Sequence, residues 1–180
     1  MELIGAFLTG VVGPILYLIV QKYLLKEKNK KRDVVKENIS SVSLINNELE
    51  DIREEFKADR VWIAQFHNGG NFFPTGKSMH KFSIFYEVAK SGVSTVSTIF
   101  NNIPCSLYPK AFEHMMGGNG IFINDYRDAK VATYGLKGAA ESVGTKSTYL
   151  IPLFTLDEKY IGNRGVDYVS KKKRLTKDEW

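Results

Sequence analysis

Polar side chains interleaved with aromatic ones lie between Gln65 and Ser83, just after an apolar run. The candidate ligand-binding residues in this segment are His67, Asn68, Asn71, Phe73 and Lys81. Loops held by a rigid sheet are where ligands usually bind, and polar groups beside aromatic rings suit a small polar metabolite. The alternative is a plain hairpin loop, in which the asparagine side chains bond their own backbone and the glycines supply positive φ angles.

Two further candidates lie later in the chain. Asp125 ends the apolar run Ile121–Asp125, where it either points into a pocket or caps the helix that follows. Tyr134 lies in a helix-capable stretch that continues to Gly144. Together with the earlier segment, these residues make up the predicted binding site.

Catalytic motifs are absent from the sequence. It has no Gly-x-Ser-x-Gly turn, no phosphate-binding glycine loop and no His-Glu-x-x-His. Its three histidines lie far apart and no carboxylate recurs with them at ligand spacing, so no metal site is predicted. Cys105 is the single cysteine, which excludes an intrachain disulfide and a thiolate cluster. The sequence predicts a protein without catalysis of its own, and it identifies no cofactor.

The positive charge is local. The chain has 25 basic and 20 acidic residues, a net charge of +5 and a pI near 9.1. Six of the basic residues lie between Lys22 and Arg32, and Glu2 and Glu27 are the only acids before Asp33, which leaves 19 basic and 18 acidic residues from Asp33 onward. A nearly neutral folded part excludes a basic nucleic-acid binder.

The N-terminal residues 1–25 are predicted to form a transmembrane anchor. Leu3–Val20 carries no charge over 18 positions, and about 20 apolar helical residues cross a hydrocarbon core of roughly 30 Å. A cleaved secretory signal is the alternative, but it needs a basic start and a small-residue cleavage site, which are both missing. Since a Lys/Arg-rich flank stays on the cytoplasmic side, we expect a single-pass protein in the lipid bilayer whose soluble domain is cytoplasmic.

Residues 26–59 are predicted to form a basic belt followed by a long connecting helix. A heptad seam recurs every seven residues in this helix at Val35, Val42, Leu49 and Phe56. Ile45 and Ile52 follow three positions after two of these residues, which is the pattern of a coiled coil and predicts a homodimer. The alternative is an amphipathic helix that packs on its own domain.

Residues 60–180 are predicted to form one α+β domain. Five runs are rich in β-branched and aromatic residues and are bounded by turn residues. They are Val61–Phe66, Met79–Ala89, Ile121–Asp125, Ser147–Phe154 and Tyr160–Val169. With the helix-capable segments between them, the order is helix, two strands, helical excursion, strand, helix, two strands.

This order resembles the GAF domain, a small sensor fold, over roughly residues 35–180. The matching pieces are the strand that ends in Asp125, Gly144-Thr145-Lys146-Ser147, Tyr149–Leu153, Ile161-Gly162 and Gly165–Tyr168. The resemblance implies a central antiparallel sheet with flanking helices and a small-ligand sensor. A lone cysteine does not fit the GAF-like methionine sulfoxide reductases, and the Asn-Lys-Phe signature of cyclic-nucleotide GAF domains is missing.

Taken together, these features predict a membrane-anchored GAF-like sensory or protein-interaction module that binds a small ligand or a partner. The alternative function is a phage-type membrane effector, such as a holin-like, lysis or superinfection protein, with a soluble regulatory domain.

Overall fold

The computed structural model describes residues 34–72, 74–129 and 132–175. The predicted membrane anchor and basic belt lie outside these residues. Among the described residues, no helix has the length and apolar character needed to cross a membrane. The chain divides into two compact units, Met1–Ser41 and Val42–Trp180. Helix α1 spans Val34–Glu55, and its residues from Val42 onward belong to the second unit.

A central antiparallel sheet organises the second unit. Its strands are β1 (Arg60–Asn71), β2 (Ser78–Ala89), β3 (Ile103–Pro104), β4 (Ile121–Ile123), β5 (Ser147–Phe154) and β6 (Tyr160–Tyr168). Within the described residues their order is β3-β2-β1-β6-β5-β4, and every neighbouring pair is antiparallel. The remaining elements are a 3-10 turn (Cys105–Leu107) and the helices α2 (Pro109–Met116) and α3 (Lys137–Ser142).

The two faces of this sheet are covered by different helices, because successive side chains of a strand point to opposite faces. The α1 face carries Val61, Ile63, Tyr149, Val166 and Tyr168, which pack against α1. The α2/α3 face carries Trp62, Ala64, Phe82, Ile84 and Leu150, which pack beneath α2, α3 and the chain between β2 and β3.

The part of the predicted heptad seam formed by Leu49 and Phe56 lies against the sheet. Leu49 is 1% exposed in the core of the α1 face, and Ile45, Ile52 and Phe56 pack around it. The amphipathic-helix alternative therefore accounts for this part of the pattern, because the apolar residues that a coiled coil would use already cover the domain's own sheet. Homodimerisation stays a prediction.

The end of α1 is tied to the end of β6. The Tyr168 hydroxyl donates to the Phe56 carbonyl oxygen at 2.8 Å. The Asp59 carboxylate accepts hydrogen bonds from the backbone N–H groups of Val169 and Ser170, both at 2.7 Å, and from the Ser170 hydroxyl at 2.8 Å. Burial opposes ionisation of Asp59, but these hydrogen bonds outweigh it and lower the pKa of the carboxyl.

Several predicted boundaries agree with the observed elements. The β5 prediction, Ser147–Phe154, is confirmed at both ends. Strand β1, by contrast, continues past Phe66 to Asn71, because these residues pair with β2 in the hairpin. Among its described residues, the stretch predicted as a helix up to Gly144 is helical only over Lys137–Ser142.

Candidate ligand-binding site

A cavity of about 80 Å³ lies between the α2/α3 face of the sheet and the helices that cover it. Its walls are largely apolar and include the aromatic residues Trp62, Phe82, Phe100, Tyr108, Phe112 and Tyr126. Its polar groups are Arg60, Thr145, Thr148, Asn163 and Asp167. Small-molecule sites are usually of this kind, mostly apolar with a few placed polar groups.

One wall depends on the absence of a side chain at Gly165. A Cβ atom at this position would lie 2.2 Å from the Trp62 indole ring. The glycine therefore lets the indole lie directly on β6, where the ring forms part of the cavity wall. The Trp62 Nε1–H group donates to Asp167 Oδ2 at 3.0 Å, which fixes the orientation of the ring.

A buried ion pair forms the floor of the cavity. Arg60 is fully buried, and its Nε and Nη2 groups donate to Asp167 Oδ2 at 3.0 and 2.7 Å. The other carboxylate oxygen, Oδ1, accepts the Thr148 hydroxyl at 2.8 Å. A buried ion pair is tolerated when hydrogen bonds satisfy both partners, and this carboxylate accepts four.

Arg60 also holds two segments that surround the cavity. Its Nη2 group donates to Thr145 Oγ1 at 2.8 Å, just after α3, and Nη1 donates to the Ser94 carbonyl oxygen at 2.7 Å. Glu87, whose carboxylate is 3.9 Å from Arg60 Nε, accepts the backbone N–H groups of Val96 and Ser97. The chain between β2 and β3 is thus fastened to the sheet at the polar end of the cavity.

Two polar side chains in the cavity wall retain free hydrogen-bonding capacity. Asn163 is 5% exposed, and its carboxamide makes no hydrogen bond to any residue that the structure describes. The hydroxyl of the half-buried Tyr108 likewise has no partner within the described ranges. Burial raises the pKa of Tyr108, which keeps the hydroxyl protonated. Both groups are therefore available to pair with a molecule that occupies the cavity.

The remaining cavity walls are stiff. Tyr126 is buried, and burial raises its pKa well above the ordinary range. Phe112 contacts Phe66 edge to face at 5.2 Å and Phe82 at 5.5 Å between ring centroids. Interlocked aromatic rings of this kind stabilise a defined shape.

The structure places His67 on β1 rather than in a loop. Strand alternation puts it on the same side of the sheet as Val61 and Ile63, away from the cavity. Its Nε2 lies 2.9 Å from the Ser83 hydroxyl, which also contacts Asn101 Oδ1 at 3.0 Å and accepts the Asn102 backbone N–H at 2.9 Å. These contacts use the one donor and two lone pairs of the hydroxyl.

The other candidate residues between Gln65 and Ser83 agree with the alternative interpretation of this segment as a plain hairpin loop. Asn68 Oδ1 accepts the Gly70 backbone N–H at 3.0 Å, the local bond expected of a turn asparagine. Asn71 is exposed opposite Ser78. Lys81 covers Gly69, where a Cβ atom would lie 2.6 Å from its Cδ. Phe73 lies outside the described residues. The described members of this set do not line the cavity.

Asp125 and Tyr134 also lie away from the cavity. Asp125 accepts the Arg127 backbone N–H at 2.9 Å and is bound by the Lys172 ammonium group, which lowers the pKa of the carboxyl. It borders a separate polar cleft of about 300 Å³ beside Tyr126. The Tyr134 ring packs on His114, with centroids 4.7 Å apart.

Sequence reasoning missed the residues that form the cavity. Trp62, Asn163 and Asp167 lie on predicted strands, and Arg60 comes directly before the predicted strand Val61–Phe66. None of the four was predicted to be a site residue. One signal was available: alternation within Tyr160–Tyr168 puts Asn163 and Asp167 on one face of a strand with an otherwise buried pattern. Polar residues on the buried face of a strand indicate a polar site in the core.

No protein-family model matches the sequence, and no curated protein matches it. Solved structures do match. The blue-light-absorbing form of the PixJ GAF domain of Thermosynechococcus elongatus is 14% identical, with a TM-score of 0.61 over 82% of this chain and 80% of that chain. A phycocyanobilin-bound GAF domain from a cyanobacterial phytochrome is 18% identical, with a TM-score of 0.57 over 82% of each chain. A phycoerythrobilin-bound GAF domain from a cyanobacterial phytochrome is 16% identical, with a TM-score of 0.59 over 81% of this chain and 80% of that chain.

These similarities concern the fold. The second unit has the α+β fold of a GAF domain, with a central antiparallel sheet and flanking helices, which confirms the fold that the sequence resemblance implied.

Proposed function

We propose that this protein is a membrane-anchored, GAF-like sensory module that binds a small ligand in the cavity of its α2/α3 face, without catalysis of its own. The observation that carries the proposal is the buried Asn163 carboxamide, which lines an aromatic cavity and lacks a protein partner among the described residues. A ligand in the cavity would use the donor and acceptor capacity of this amide.

The proposed ligand is far smaller than the bilins of the compared GAF domains. Those domains hold phycocyanobilin or phycoerythrobilin. The present cavity has about 80 Å³, whereas an engineered apolar cavity that binds benzene has about 150 Å³. Binding of a bilin would require the walls to separate widely, so we propose a ligand of one small ring or less.

The cavity floor offers a route from ligand to helix. Arg60 binds the segments beside Ser94 and Thr145 through its side chain, while its backbone follows Asp59 at the end of α1. A ligand that displaces either segment would change the hydrogen bonds of Arg60 and, through them, the junction between α1 and β1. In this proposal α1 is the element that carries the signal.

We also propose that the protein is anchored in the lipid bilayer and that it forms a homodimer. Leu3–Val20 is uncharged and is followed by a basic belt, which favours a single-pass anchor with the domain in the cytoplasm. Leu44 of α1 is 67% exposed and is available to a second copy of the chain. Digestion of the domain by protease added outside spheroplasts would contradict the cytoplasmic assignment.

The proposal includes no catalysis, so the contact between His67 and Ser83 is interpreted as structural. Ser83 is 2% exposed, and its hydrogen-bonding capacity is used.

The ligand is tested by mass spectrometry of small molecules released from the purified full chain. Ala140→Leu, on α3, would fill the cavity that this residue lines. Ala129→Leu is the matched control, because it makes the same change at an exposed position. We expect one compound in the wild type and the control that is lost from Ala140→Leu. If Ala140→Leu does not fold, Ala139→Leu, which also lines the cavity, replaces it. No released compound, or equal amounts in all three proteins, would overturn the proposal.

A further inference from the structure

We infer that the ligand is a small, neutral, planar molecule that presents a hydrogen-bond donor and an acceptor side by side on one edge, as a lactam, cyclic urea or related heterocycle does. This inference rests on the proposed function and names the chemistry of the same site. It follows from the capacity of Asn163, from the charges of the cavity floor and from the shape of the walls.

Asn163 determines which hydrogen-bonding groups the ligand must present on one edge. A carboxamide offers a C=O acceptor and an NH₂ donor in one plane, and it pairs with two adjacent groups of opposite kind, as asparagine does with an adenine edge. Asn163 lines the cavity and makes no hydrogen bond to another described residue, so both functions are available. A ligand with only an acceptor or only a donor would leave half of this buried group unpaired.

The charges of the floor exclude an ionic ligand. Asp167 already accepts four hydrogen bonds, and Arg60 is bound to Asp167, Thr145 and Ser94. The additional negative charge, on Glu87, is held by two backbone N–H groups, and this residue does not line the cavity. An anionic ligand would meet this excess negative charge, and a cationic ligand would find no carboxylate with free capacity. A charge buried without a partner is strongly unfavourable.

The walls favour a flat ring. Asn163 and Gly165 lie two positions apart on the same face of β6, about 7 Å along the strand. The Trp62 indole lies on Gly165, so a ligand edge paired with Asn163 places the ligand beside this ring. Stacked and edge-to-face contacts with aromatic rings stabilise planar partners.

The size of the cavity limits the ligand to one ring. The volume of about 80 Å³ is about half that of an engineered apolar cavity of about 150 Å³ that binds benzene. Entry of a ring requires some side chains to move, and Met115, an unbranched residue in the wall, is the most adaptable of these. A second fused ring would need displacement of the sheet or of α2.

The inference is tested with 2-pyridone as the probe and the full chain as the target, by ligand-observed NMR titration. 2-Pyridone has the donor and the acceptor adjacent, whereas its isomer 4-pyridone has them at opposite ends of the same ring. Toluene lacks both, and benzoate and benzylamine add a charge of either sign. We expect 2-pyridone to bind at least about tenfold more tightly than each of the other four.

Asn163→Leu should reduce the affinity for 2-pyridone by about tenfold or more and leave the affinity for toluene unchanged. Asn47→Leu is the matched control on the exposed side of α1 and should change neither affinity. Equal binding of the two pyridones, tighter binding of a charged probe, or unchanged binding by Asn163→Leu would overturn the inference. A compound that is released from the wild type but lacks such an edge would also overturn the inference while leaving the proposed function intact.

Discussion

The two faces of the sheet differ in whether their buried polar side chains have hydrogen-bond partners. On the α1 face, the buried hydroxyl groups have partners: Tyr168 donates to the Phe56 carbonyl oxygen, and Tyr149 donates to the Lys173 carbonyl oxygen at 2.6 Å and accepts the Leu175 N–H at 2.9 Å. On the α2/α3 face, Asn163 and Tyr108 line a cavity without protein partners among the described residues.

This difference separates stability from binding within one small domain. A face whose polar groups are paired and whose apolar residues are close-packed maximises the free energy of unfolding. A face that keeps an empty volume and free polar groups forgoes part of that free energy, which is the usual relation between a functional site and stability. Three pairs of variants test whether the faces differ in this way.

The largest effect is expected at the floor of the cavity. Arg60→Met would leave Asp167 and Glu87 buried without their cation, and breaking a buried ion pair in this manner destabilises a protein by about 3–5 kcal/mol. Urea unfolding of the full chain measures the loss. The double variant Arg60→Met/Asp167→Leu should recover part of it, since no unpaired partner remains at Asp167. A loss below about 1 kcal/mol in Arg60→Met would mean that the ion pair is not buried as described.

The next effect is expected on the α1 face. Leu49→Ala would remove a fully buried side chain from the packed cluster, with a loss of about 2–5 kcal/mol in the free energy of unfolding. Leu44→Ala is the same substitution on the same helix at an exposed position, and its effect should stay within about 0.5 kcal/mol. If both variants lost the same stability, α1 would not pack on the sheet through the Leu49 side.

The smallest effect compares one hydroxyl from each face. Tyr168→Phe would remove the hydrogen bond to the Phe56 carbonyl oxygen and lower the free energy of unfolding by about 1 kcal/mol. Tyr108→Phe removes a hydroxyl that has no partner among the described residues, so it should leave stability unchanged. Chemical denaturation of both variants distinguishes these outcomes. A greater loss for Tyr108→Phe would show that its hydroxyl is already bound.

The fold could be predicted from the sequence because it depends on local patterns. Ser147–Phe154 is a continuous apolar run between turn residues, and the observed strand has the same ends. The next predicted run, Tyr160–Val169, starts where β6 starts and ends one residue beyond it. The relation of α1 to the sheet was left open, because a seven-residue repeat describes a coiled coil and a packed amphipathic helix alike.

The candidate site could not be predicted, because it is assembled from distant positions. Arg60 and Asp167 are 107 positions apart and meet only through the pairing of β1 with β6. The cavity itself depends on how α2 and α3 lie over the sheet, which periodicity does not determine. His67 and Asn68 are conspicuous in the sequence because they neighbour glycines and aromatic residues, but those neighbours serve the hairpin.

The indole that lies on Gly165 gives the molecule an optical reporter. The chain has two tryptophans, Trp62 and Trp180, and the first borders the cavity while its N–H group is bound to a buried carboxylate. Trp180→Phe would leave a single tryptophan, whose emission reports on the polarity and water content of the space beside it. Occupancy of the cavity could then be measured as a shift in the wavelength of the tryptophan emission maximum, with no dye attached to the chain.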